Sequence, residues 1–420
     1  MARINTSCGP RSANSTGPKP TTLGAVEDRS SPRRSLQHQF GYIEGRLNAA
    51  DRTVTLAYRA ALRANNSGDA GWYAAYGKAS MAGEGEKRME EQDEQPVIVV
   101  DLGGTSIRAA LVRGGTMRGR VRCETPAGEG PERVIEAIAG AIERVMRAEG
   151  VHPQAAIGEV GVVAIASPGP LNAAKGIVYS APNLLGWHDV PLGALLEERI
   201  GLRVQLLKDA NAAALAEHSM GAGRGASTMV YVTLSTGIGG GLILNGELFE
   251  GPDGTAGEVG HMTIDEHGPI CNCGNRGCVE TKASGTAIAR RAAALIAAGT
   301  LRIEGTHAPS AAQVIAAAHA GNAAAGALIG EAGGSVGLAL VGIIHLFNPE
   351  VIVLGGGLIQ AGPLLLAPIE AAIERHAIQM PRSRARIAVA ALGDDAGLWG
   401  AAIHARSGGM HGKERSQMTK

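Results

Sequence analysis

The sequence VIVVDLGGTSIRAALV, from Val97 to Val112, sets the expected architecture of this 420-residue chain. Its first half is an unbroken apolar run typical of a strand buried on both faces, and its second half predicts another strand. Asp101 ends the first run, and the turn that follows contains Gly103, Gly104 and Thr105. Because glycines leave backbone N–H groups unobstructed, such a turn can bind a phosphate oxygen.

A second unit of the same design, TMVYVTLSTGIGGG, occupies Thr228 to Gly241. We predict a strand up to Leu234 and then a glycine-rich loop from Ser235 to Gly241, whose hydroxyl and N–H groups offer a nest for an anion. Two such units in one chain predict two similar α/β domains that face each other across a cleft. Their two loops could hold the phosphates of one nucleotide from both sides.

The rest of the chain supplies the helices and strands that complete this α/β pattern. We assign residues 96–208 plus 396–406 to a small domain and residues 209–395 to a large one. Further strands are predicted at 117–126, 159–166, 203–207, 351–354 and 387–390. Helices are predicted at 132–149, 192–200, after Asp209, and at 283–298, 311–319, 323–345 and 396–405.

The bulk composition excludes several classes of function. The formal net charge is zero, so there is no overall attraction for nucleic acid or an anionic membrane. No apolar run approaches the roughly 18 residues of a membrane span, and the N-terminus lacks the apolar core of a signal peptide. The chain is therefore expected to be cytoplasmic, with no membrane partner.

Residues 1–95 differ from the rest of the chain. They are rich in Ser, Asn, Gly and Arg and have little hydrophobic periodicity, which predicts a disordered extension. One alternative is that translation begins at Met81 or Met89. Another is a DNA-binding winged helix, but that fold needs about three helices and only Leu47 to Ala64 could form one. The tail from residue 407 is also predicted to be disordered.

Two carboxylates stand where strands end. Asp209, in the sequence Lys208-Asp209-Ala210-Asn211, can accept the proton of an attacking hydroxyl in phosphoryl transfer. The alternative for Asp209 is a helix N-cap, for which Asp is a preferred residue. Asp101 can hold Mg²⁺ directly or through water, although a lone turn of this type is also an ordinary hairpin.

Three of the five cysteines fall within eight residues in a chain without a secretory signal, which favours a metal site over disulfides. His261, Cys271, Cys273 and Cys278 follow the spacing H-x9-C-x-C-x4-C, which can wrap one tetrahedral Zn²⁺. Because the protein supplies all four ligands, this would be a structural zinc. The alternative is a set of reduced, free cysteines.

Two further carboxylates flank these predicted zinc ligands. Glu258 precedes His261 by three residues, and Glu280 follows Cys278 by two. A bound zinc would fix both carboxylates beside the imidazole, and all three groups are suitable partners for sugar hydroxyls. Taken singly, each carboxylate could equally be a solvated surface charge.

Six motifs occur in order between Pro96 and Arg406: DLGGT, SPGPLN, DANAAALAE, LSTGIGGGLILNG, AGEVGHM and CNCGNRGCVE. Together they resemble the ROK family of sugar kinases and repressors. The resemblance implies a two-domain actin-like ATPase (ribonuclease H-like) fold that binds a sugar and ATP in a cleft. It also implies a structural zinc loop, Mg²⁺ with ATP, and a homodimer.

The resemblance also implies a role for each residue that matches a family motif. Asp209 would be the base that takes the proton of the sugar's primary hydroxyl. The residues expected near the sugar are Gly169, Asn183, Lys208, Glu258, His261 and Glu280. Those expected on the nucleotide side are Asp101, Gly103, Gly104, Thr105, Thr236 and Gly237, with Gly355, Gly356 and Gly357 near the adenosine.

The identity of the sugar depends on two further positions. Pro170 follows Gly169, as in glucokinase-like members, whereas N-acetylmannosamine kinases carry an arginine there. With Asn183 this favours glucose, and the prediction is an ATP-dependent glucokinase. Lys208 departs from the asparagine of many members, which leaves mannose, N-acetylglucosamine and N-acetylmannosamine open as substrates. Polyphosphate as the donor and a sugar-responsive repressor also stay open.

Overall fold

The structure is a computed structural model that describes residues 95–151 and 159–407. The predictions made for residues 1–94 and for the tail beyond residue 407 lie outside these ranges. They include the disordered extension, the alternative start, the winged helix and the disordered tail.

The described residues form thirteen strands. In chain order these are β1 (Val97–Leu102), β2 (Ser106–Arg113), β3 (Thr116–Glu124), β4 (Val162–Ser167), β5 (Leu171–Asn172), β6 (Ile177–Ser180), β7 (His188–Val190), β8 (Val204–Lys208), β9 (Met229–Leu234), β10 (Ile238–Leu244), β11 (Glu247–Phe249), β12 (Val351–Gly355) and β13 (Arg386–Val389). The strands expected from the apolar runs are all present.

Ten α-helices lie in the same described ranges. They are α1 (Pro131–Ala148), α2 (Leu192–Ile200), α3 (Asp209–Met220), α4 (Glu280–Ala283), α5 (Gly285–Ala297), α6 (Ala311–His319), α7 (Ala323–Phe347), α8 (Pro363–His376), α9 (Gln379–Arg384) and α10 (Ala396–Arg406). The sequence patterns predicted each of these except α4, α8 and α9. Pro368 inside α8 obscured its helical signal, because proline is rare in helix interiors.

Two five-stranded sheets share one topology. The first has the order β3-β2-β1-β4-β8 and the second β11-β10-β9-β12-β13. In each, the first three strands along the chain form an antiparallel meander, and two more strands extend the sheet in parallel. This repetition agrees with the two strand–turn–strand units expected from the sequence. A small third sheet, β5-β6-β7, was not predicted.

Helices α3 and α10 link the two sheets. Leu398 and Ala401 of α10 pack against β1 and β4 of the first sheet, while Ala213 and Ala214 of α3 pack against strands of the second. Gly400 of α10 lies directly against the backbone of α3. Helix α3, which begins with Asp209, is therefore packed against strands of the second sheet and against α10. The division into domains at residue 208 stays a prediction.

One described helix, α7, is long and apolar enough to cross a membrane, contrary to the expectation that no segment is. Its 18-residue window of mean hydropathy 1.8 is 56% buried inside the fold. Gly333 and Gly337 let α8 approach closely, since a Cβ on Gly337 would lie 2.6 Å from the Cβ of Ala372. These contacts are those of a core helix.

The structure corrects the extent of the second glycine loop. Only Ser235–Gly237 form the turn, because Gly239, Gly240 and Gly241 lie within β10. A Cβ on Gly241 would lie 2.7 Å from the Cβ of Ala214 in α3. These three glycines let a helix and a loop pack closely on the strand, a role that the sequence did not indicate.

Candidate active site

Asp209 stands where β8 meets α3, at the carboxyl edge of the first sheet. It is the first residue inside the helix, and the N-cap position belongs to Lys208, so the N-cap alternative does not hold. The half-buried carboxylate accepts the N–H of Ala210 at 2.6 Å. Burial raises the pKa of Asp209 to about 6, although this N–H acts to lower it. Such a carboxyl group is ionised at neutral pH and basic enough to take a proton from a hydroxyl.

Three other predicted site residues act on Asp209 through their charges. Asp101 and Glu258 raise the pKa of Asp209, and Lys208 lowers it. The four ionisable groups therefore influence one another, and Lys208 and Glu258 are in direct contact. The structure thus brings together side chains that lie up to 157 positions apart, at residues 101 and 258.

A buried ion pair joins Lys208 to Glu258. The Lys208 Nζ lies 2.7 Å from Glu258 Oε1, and the exposed fractions of the two side chains are 6% and 32%. Lys208 ends a strand of the first sheet, whereas Glu258 follows the last strand of the meander in the second. Gly169 lies beside the lysine, since a Cβ added there would be 3.6 Å from Lys208 Cγ. An ammonium group this buried depends on its partner.

The turn between β1 and β2 is a candidate phosphate site. The Gly103 N–H donates to the Ser106 carbonyl at 3.1 Å, and Thr125 Oγ1 donates to the Gly103 carbonyl at 2.7 Å. Gly104 lies against Asn183, whose Cβ would be 3.0 Å from an added Cβ. The turn expected to hold phosphate and the loop expected to close over the sugar are therefore in contact. Thr105 is exposed beside them.

The turn between β9 and β10 is fixed from two directions. Its Ser235 and Thr236 carbonyls accept hydrogen bonds from the start of α5. On its other side, Glu280 Oε2 accepts the N–H of Ile238 at 2.8 Å, and a Cβ on Gly237 would lie 2.7 Å from that oxygen. Glu280 thus contacts the phosphate-side turn, which the sequence did not indicate.

The third glycine cluster adjoins this second turn. Gly355 ends β12 and pairs with Thr233 of β9, two residues before Ser235. It lies against the hydroxyl of Tyr231, which leaves no room for a larger side chain. Gly356 has φ +87°, a conformation that favours glycine, and Gly357 begins a 3₁₀ turn.

Asp101 has the chemistry of a magnesium ligand. Its carboxylate is buried at the end of β1 and forms an ion pair with Arg108, the residue opposite it on β2. Burial raises the pKa of Asp101, and Arg108 lowers it. Gly397 near the start of α10 leaves room for the carboxylate, since a Cβ there would lie 2.9 Å from Asp101 Cγ. A carboxylate oxygen beside glycine turns fits the ligand preference of Mg²⁺.

The four predicted zinc ligands converge. Their donor atoms all lie within 4.8 Å of one another. Cys271 Sγ is 3.7 Å from His261 Nδ1, and Cys273 Sγ is 3.7 Å from Cys278 Sγ. Ligands 2.3 Å from a tetrahedral zinc stand about 3.8 Å apart, so these separations fit one ion. Burial raises the pKa of Cys278 to about 12, and a bound cation would favour its ionised form.

The cysteine loop is also tied to the segment that carries Glu258 and His261. The Val279 N–H donates to the Met262 carbonyl at 3.0 Å, and the Ile264 N–H donates to the Gly277 carbonyl at 3.0 Å. His261 faces Cys271 through Nδ1, so its Nε2 is the ring nitrogen on the other side. The loop therefore couples the position of Glu280 to that of Glu258.

A cavity of about 950 Å³ lies elsewhere, between the cysteine loop and α5, α7 and α8. Lys282, Arg290 and Arg375 are among its lining residues, and none of the predicted catalytic residues is. Lys282 is paired with Asp265 at 2.6 Å. This cavity is therefore separate from the candidate site around Asp209.

Arg108 is the main residue of this site that sequence reasoning missed. The signal was available in the hairpin: when Leu102 and Ile107 close the turn, the next pair must be Asp101 and Arg108. Glu217 was also missed. Its buried carboxylate accepts the N–H groups of Ala222, Ala391 and Leu392 and so fixes the segment before α10.

Comparison with known proteins gives consistent relatives. The model of the ROK family matches residues 97–407. A glucokinase from Thermotoga maritima is 37% identical over 327 residues, which cover 74% of this chain and 98% of that protein. The fold is similar to a ROK family glucokinase from Streptomyces griseus, solved with glucose and AMPPNP, at TM-score 0.65 and 34% identity, covering 74% of this chain and 100% of that one.

A ROK family transcriptional regulator, a homolog of the E. coli MLC protein, is also similar. It has TM-score 0.64 and 29% identity, and the match covers 73% of this chain and 77% of the regulator. The likeness therefore includes both kinases and a regulator. All of these relatives share the sugar kinase fold of the actin-like ATPase superfamily, as the motifs implied.

Proposed function

The chain belongs to the ROK family, and we propose that it is an ATP-dependent glucokinase that transfers the γ-phosphoryl group of ATP to the primary hydroxyl of glucose. The observation that carries this proposal is the position of Asp209. Burial raises the pKa of its carboxyl group to about 6, and the charges of Asp101, Lys208 and Glu258, the last two joined in an ion pair, act on it. A general base for phosphoryl transfer belongs at this position.

In this proposal Asp209 accepts the proton of the primary hydroxyl as its oxygen attacks the γ-phosphorus. Glu258, His261 and Glu280 bind other hydroxyls of the sugar, and Gly169 and Asn183 belong to loops that close over it. Binding of these hydroxyls holds the attacking oxygen near the base. Part of the binding energy is thereby used to orient the reacting groups. Closure of the loops excludes water and so limits hydrolysis of ATP.

The nucleotide is held by backbone rather than by a conventional phosphate-binding loop. Gly103, Gly104 and Thr105 bind phosphate from the first sheet, Thr236 and Gly237 bind it from the second, and Gly355–Gly357 lie on the adenosine side. Asp101 is the residue that would hold Mg²⁺, which offsets charge on the phosphate oxygens when bound. His261, Cys271, Cys273 and Cys278 would hold a structural zinc.

The substitution Asp209→Asn tests the proposal. It removes the base while keeping the size of the side chain, so phosphorylation of glucose is expected to fall by roughly 10²–10⁴. Glucose affinity, measured by calorimetry, should stay near the wild-type value because Glu258 and His261 remain. Full activity in this variant would remove Asp209 from the mechanism, and a wild-type protein inactive on every sugar would refute the kinase itself.

A kinase for a different sugar is the second candidate, and the Lys208–Glu258 pair favours it. One Glu258 oxygen is engaged by the ammonium group, so the site offers hydroxyls a charged donor where an amide is common in relatives. A coupled assay should compare glucose, mannose, N-acetylglucosamine and N-acetylmannosamine, with ATP and with polyphosphate as donors. Lys208→Asn tests whether the lysine sets the preference.

Three further features belong to the same proposal. We expect cytoplasmic location, a homodimer, and a cleft between a small domain (96–208 and 396–406) and a large one (209–395). Light scattering of the purified protein tests the dimer. Limited proteolysis with and without glucose and ADP tests whether the two parts close on each other, because closure should protect the connecting segments.

A further inference from the structure

Arg108 makes two contacts that the proposed reaction does not use. One guanidinium nitrogen, Nη2, donates to Asp101 Oδ2, and the other, Nη1, donates to the carbonyl of Asp394 at 2.6 Å. The carboxylate of Asp394 lies 3.8 Å away. The arginine thus bridges the end of β1 and the 3₁₀ turn Gly393–Asp395 that precedes α10.

This 3₁₀ turn is held by a second arginine as well. Arg120 of β3 binds both carboxylate oxygens of Asp395, at 2.6 and 3.0 Å. The anchor of Arg108 at Asp394 is therefore kept in place independently of Asp101. The Arg108 side chain is 26% exposed, so the fold does not enclose it completely.

The contact with Asp101 conflicts with metal binding there. The guanidinium group occupies Asp101 Oδ2, one of the two carboxylate oxygens that Mg²⁺ could use as a ligand, and its positive charge repels a cation at the other. We propose that Arg108 is the counter-ion of Asp101 in the absence of nucleotide and competes with divalent cations for that carboxylate. A free cation then binds weakly, and a metal–nucleotide complex, which brings phosphate oxygens as further ligands, binds well.

This inference rests on the proposed use of Asp101 by a metal–nucleotide complex, and it is tested without any assay of activity. Mn²⁺ suits the same oxygen ligands as Mg²⁺ and reports its own binding by electron paramagnetic resonance. Zinc-loaded protein without nucleotide is titrated with Mn²⁺. Arg108→Gln is expected to bind Mn²⁺ about fivefold more tightly than the wild type, since a competing charge is gone.

Matched variants identify the cause. Arg120→Gln removes the neighbouring arginine that does not touch Asp101, and Arg108→Lys keeps a positive charge at the carboxylate, so both should bind Mn²⁺ as the wild type does. Arg108→Met is titrated in parallel, so that the result does not depend on one variant. Adding Asp101→Asn to Arg108→Gln should abolish the gain.

Equal or weaker Mn²⁺ binding by both Arg108→Gln and Arg108→Met would overturn the proposal. The same holds if the gain survives Asp101→Asn, because the cation would then be bound elsewhere. Failure here leaves the kinase proposal intact, since that is decided by sugar phosphorylation and by Asp209. Failure of the kinase proposal would appear instead as an inactive wild-type protein.

Discussion

The two five-stranded sheets have the same order and strand directions, yet they carry different chemistry at the same place. In the first sheet, Leu102 and Ile107 close the turn, and the pair behind them is Asp101 with Arg108. In the second, Leu234 and Ile238 close the turn, and the pair behind them is Thr233 with Gly239. One position thus holds an ion pair in one sheet and two uncharged residues in the other.

This difference indicates how one architecture serves two purposes. In our proposal both turns bind phosphate, so that property would come with the topology. The proposed base Asp209 and the proposed magnesium ligand Asp101 both belong to the first sheet, where β8 and β1 end. The second sheet uses glycines to bring α3 close, and in our proposal the cysteine loop beyond it positions groups that bind the sugar. At its own turn, the second sheet contributes close packing rather than an ion pair.

Removing the charge of Asp101 in the first sheet should therefore have the largest effect on activity. In Asp101→Asn we expect kcat to fall by roughly 10²–10³, because stabilisation of phosphate charge through the metal is worth several kcal/mol. Glucose affinity should change little. The matched variant Thr233→Val alters the same position of the second sheet and should keep kcat within about threefold. Equal losses in both variants would contradict the division of roles.

Adding a side chain where α3 packs closely on the second sheet should have the next largest effect, which is a loss of stability. A Cβ in Gly241→Ala would lie 2.7 Å from the Ala214 Cβ and 2.8 Å from the Ala210 carbonyl, so α3 must shift. Overpacking of this kind costs about 1–3 kcal/mol, and kcat should fall too because α3 begins with Asp209. Chemical denaturation measures the first effect. Gly140→Ala on α1 meets no neighbour within 4 Å and should not destabilise.

The sequence was sufficient for the parts of the fold that depend on local pattern. Apolar runs located β1, β4, β9 and β12, and helical spacing located α1, because burial imposes these periods directly. Strand order within the sheets was not predicted, because it depends on pairing between distant segments. The packing role of Gly239–Gly241 was missed, since the sequence does not distinguish a glycine that lets a helix approach from one that lets a phosphate approach.

The site was predictable to a similar extent. The cysteine cluster follows from ligand spacing, and the structure brings its four donor groups together. The Lys208–Glu258 contact could not be predicted, because it joins segments 50 positions apart and depends on how the chain packs after each sheet. The pairing of Arg108 with Asp101 follows from the register of the hairpin, but that register can be predicted only when the turn length is known.

Breaking the cysteine loop should affect sugar binding more than nucleotide binding. Cys273 is the exposed ligand, so Cys273→Ser disturbs packing least. We expect loss of bound zinc and a rise in the KM for glucose on the order of tenfold, because Glu258 and His261 lose their common anchor. Metal analysis and steady-state kinetics measure both. Cys123→Ala, on β3 of the first sheet, is the matched control and should change neither.

The smallest effect concerns stability rather than rate. Burial raises the pKa of Asp209 from 3.8 to about 6, so keeping it ionised costs folding free energy at neutral pH. Asp209→Asn should therefore stabilise the protein by on the order of 1 kcal/mol at pH 7.5, reduced from the full shift because the side chain is only half-buried. The gain should be constant above about pH 6 and fade as the pH falls towards 4.

Asp395, which binds Arg120 of the first sheet, provides a control for which the expected change in stability has the opposite sign. The hydrogen bonds from Arg120 lower the pKa of Asp395, so its ionised form stabilises the fold. Asp395→Asn should therefore destabilise the protein at neutral pH, and this loss should fade as the pH falls below the ordinary pKa of 3.8. If both variants shifted stability in the same direction at pH 7.5, charge would not be the cause. Opposite shifts would mean that ionisation of Asp209 lowers the stability of the fold, whereas ionisation of Asp395, before α10, raises it.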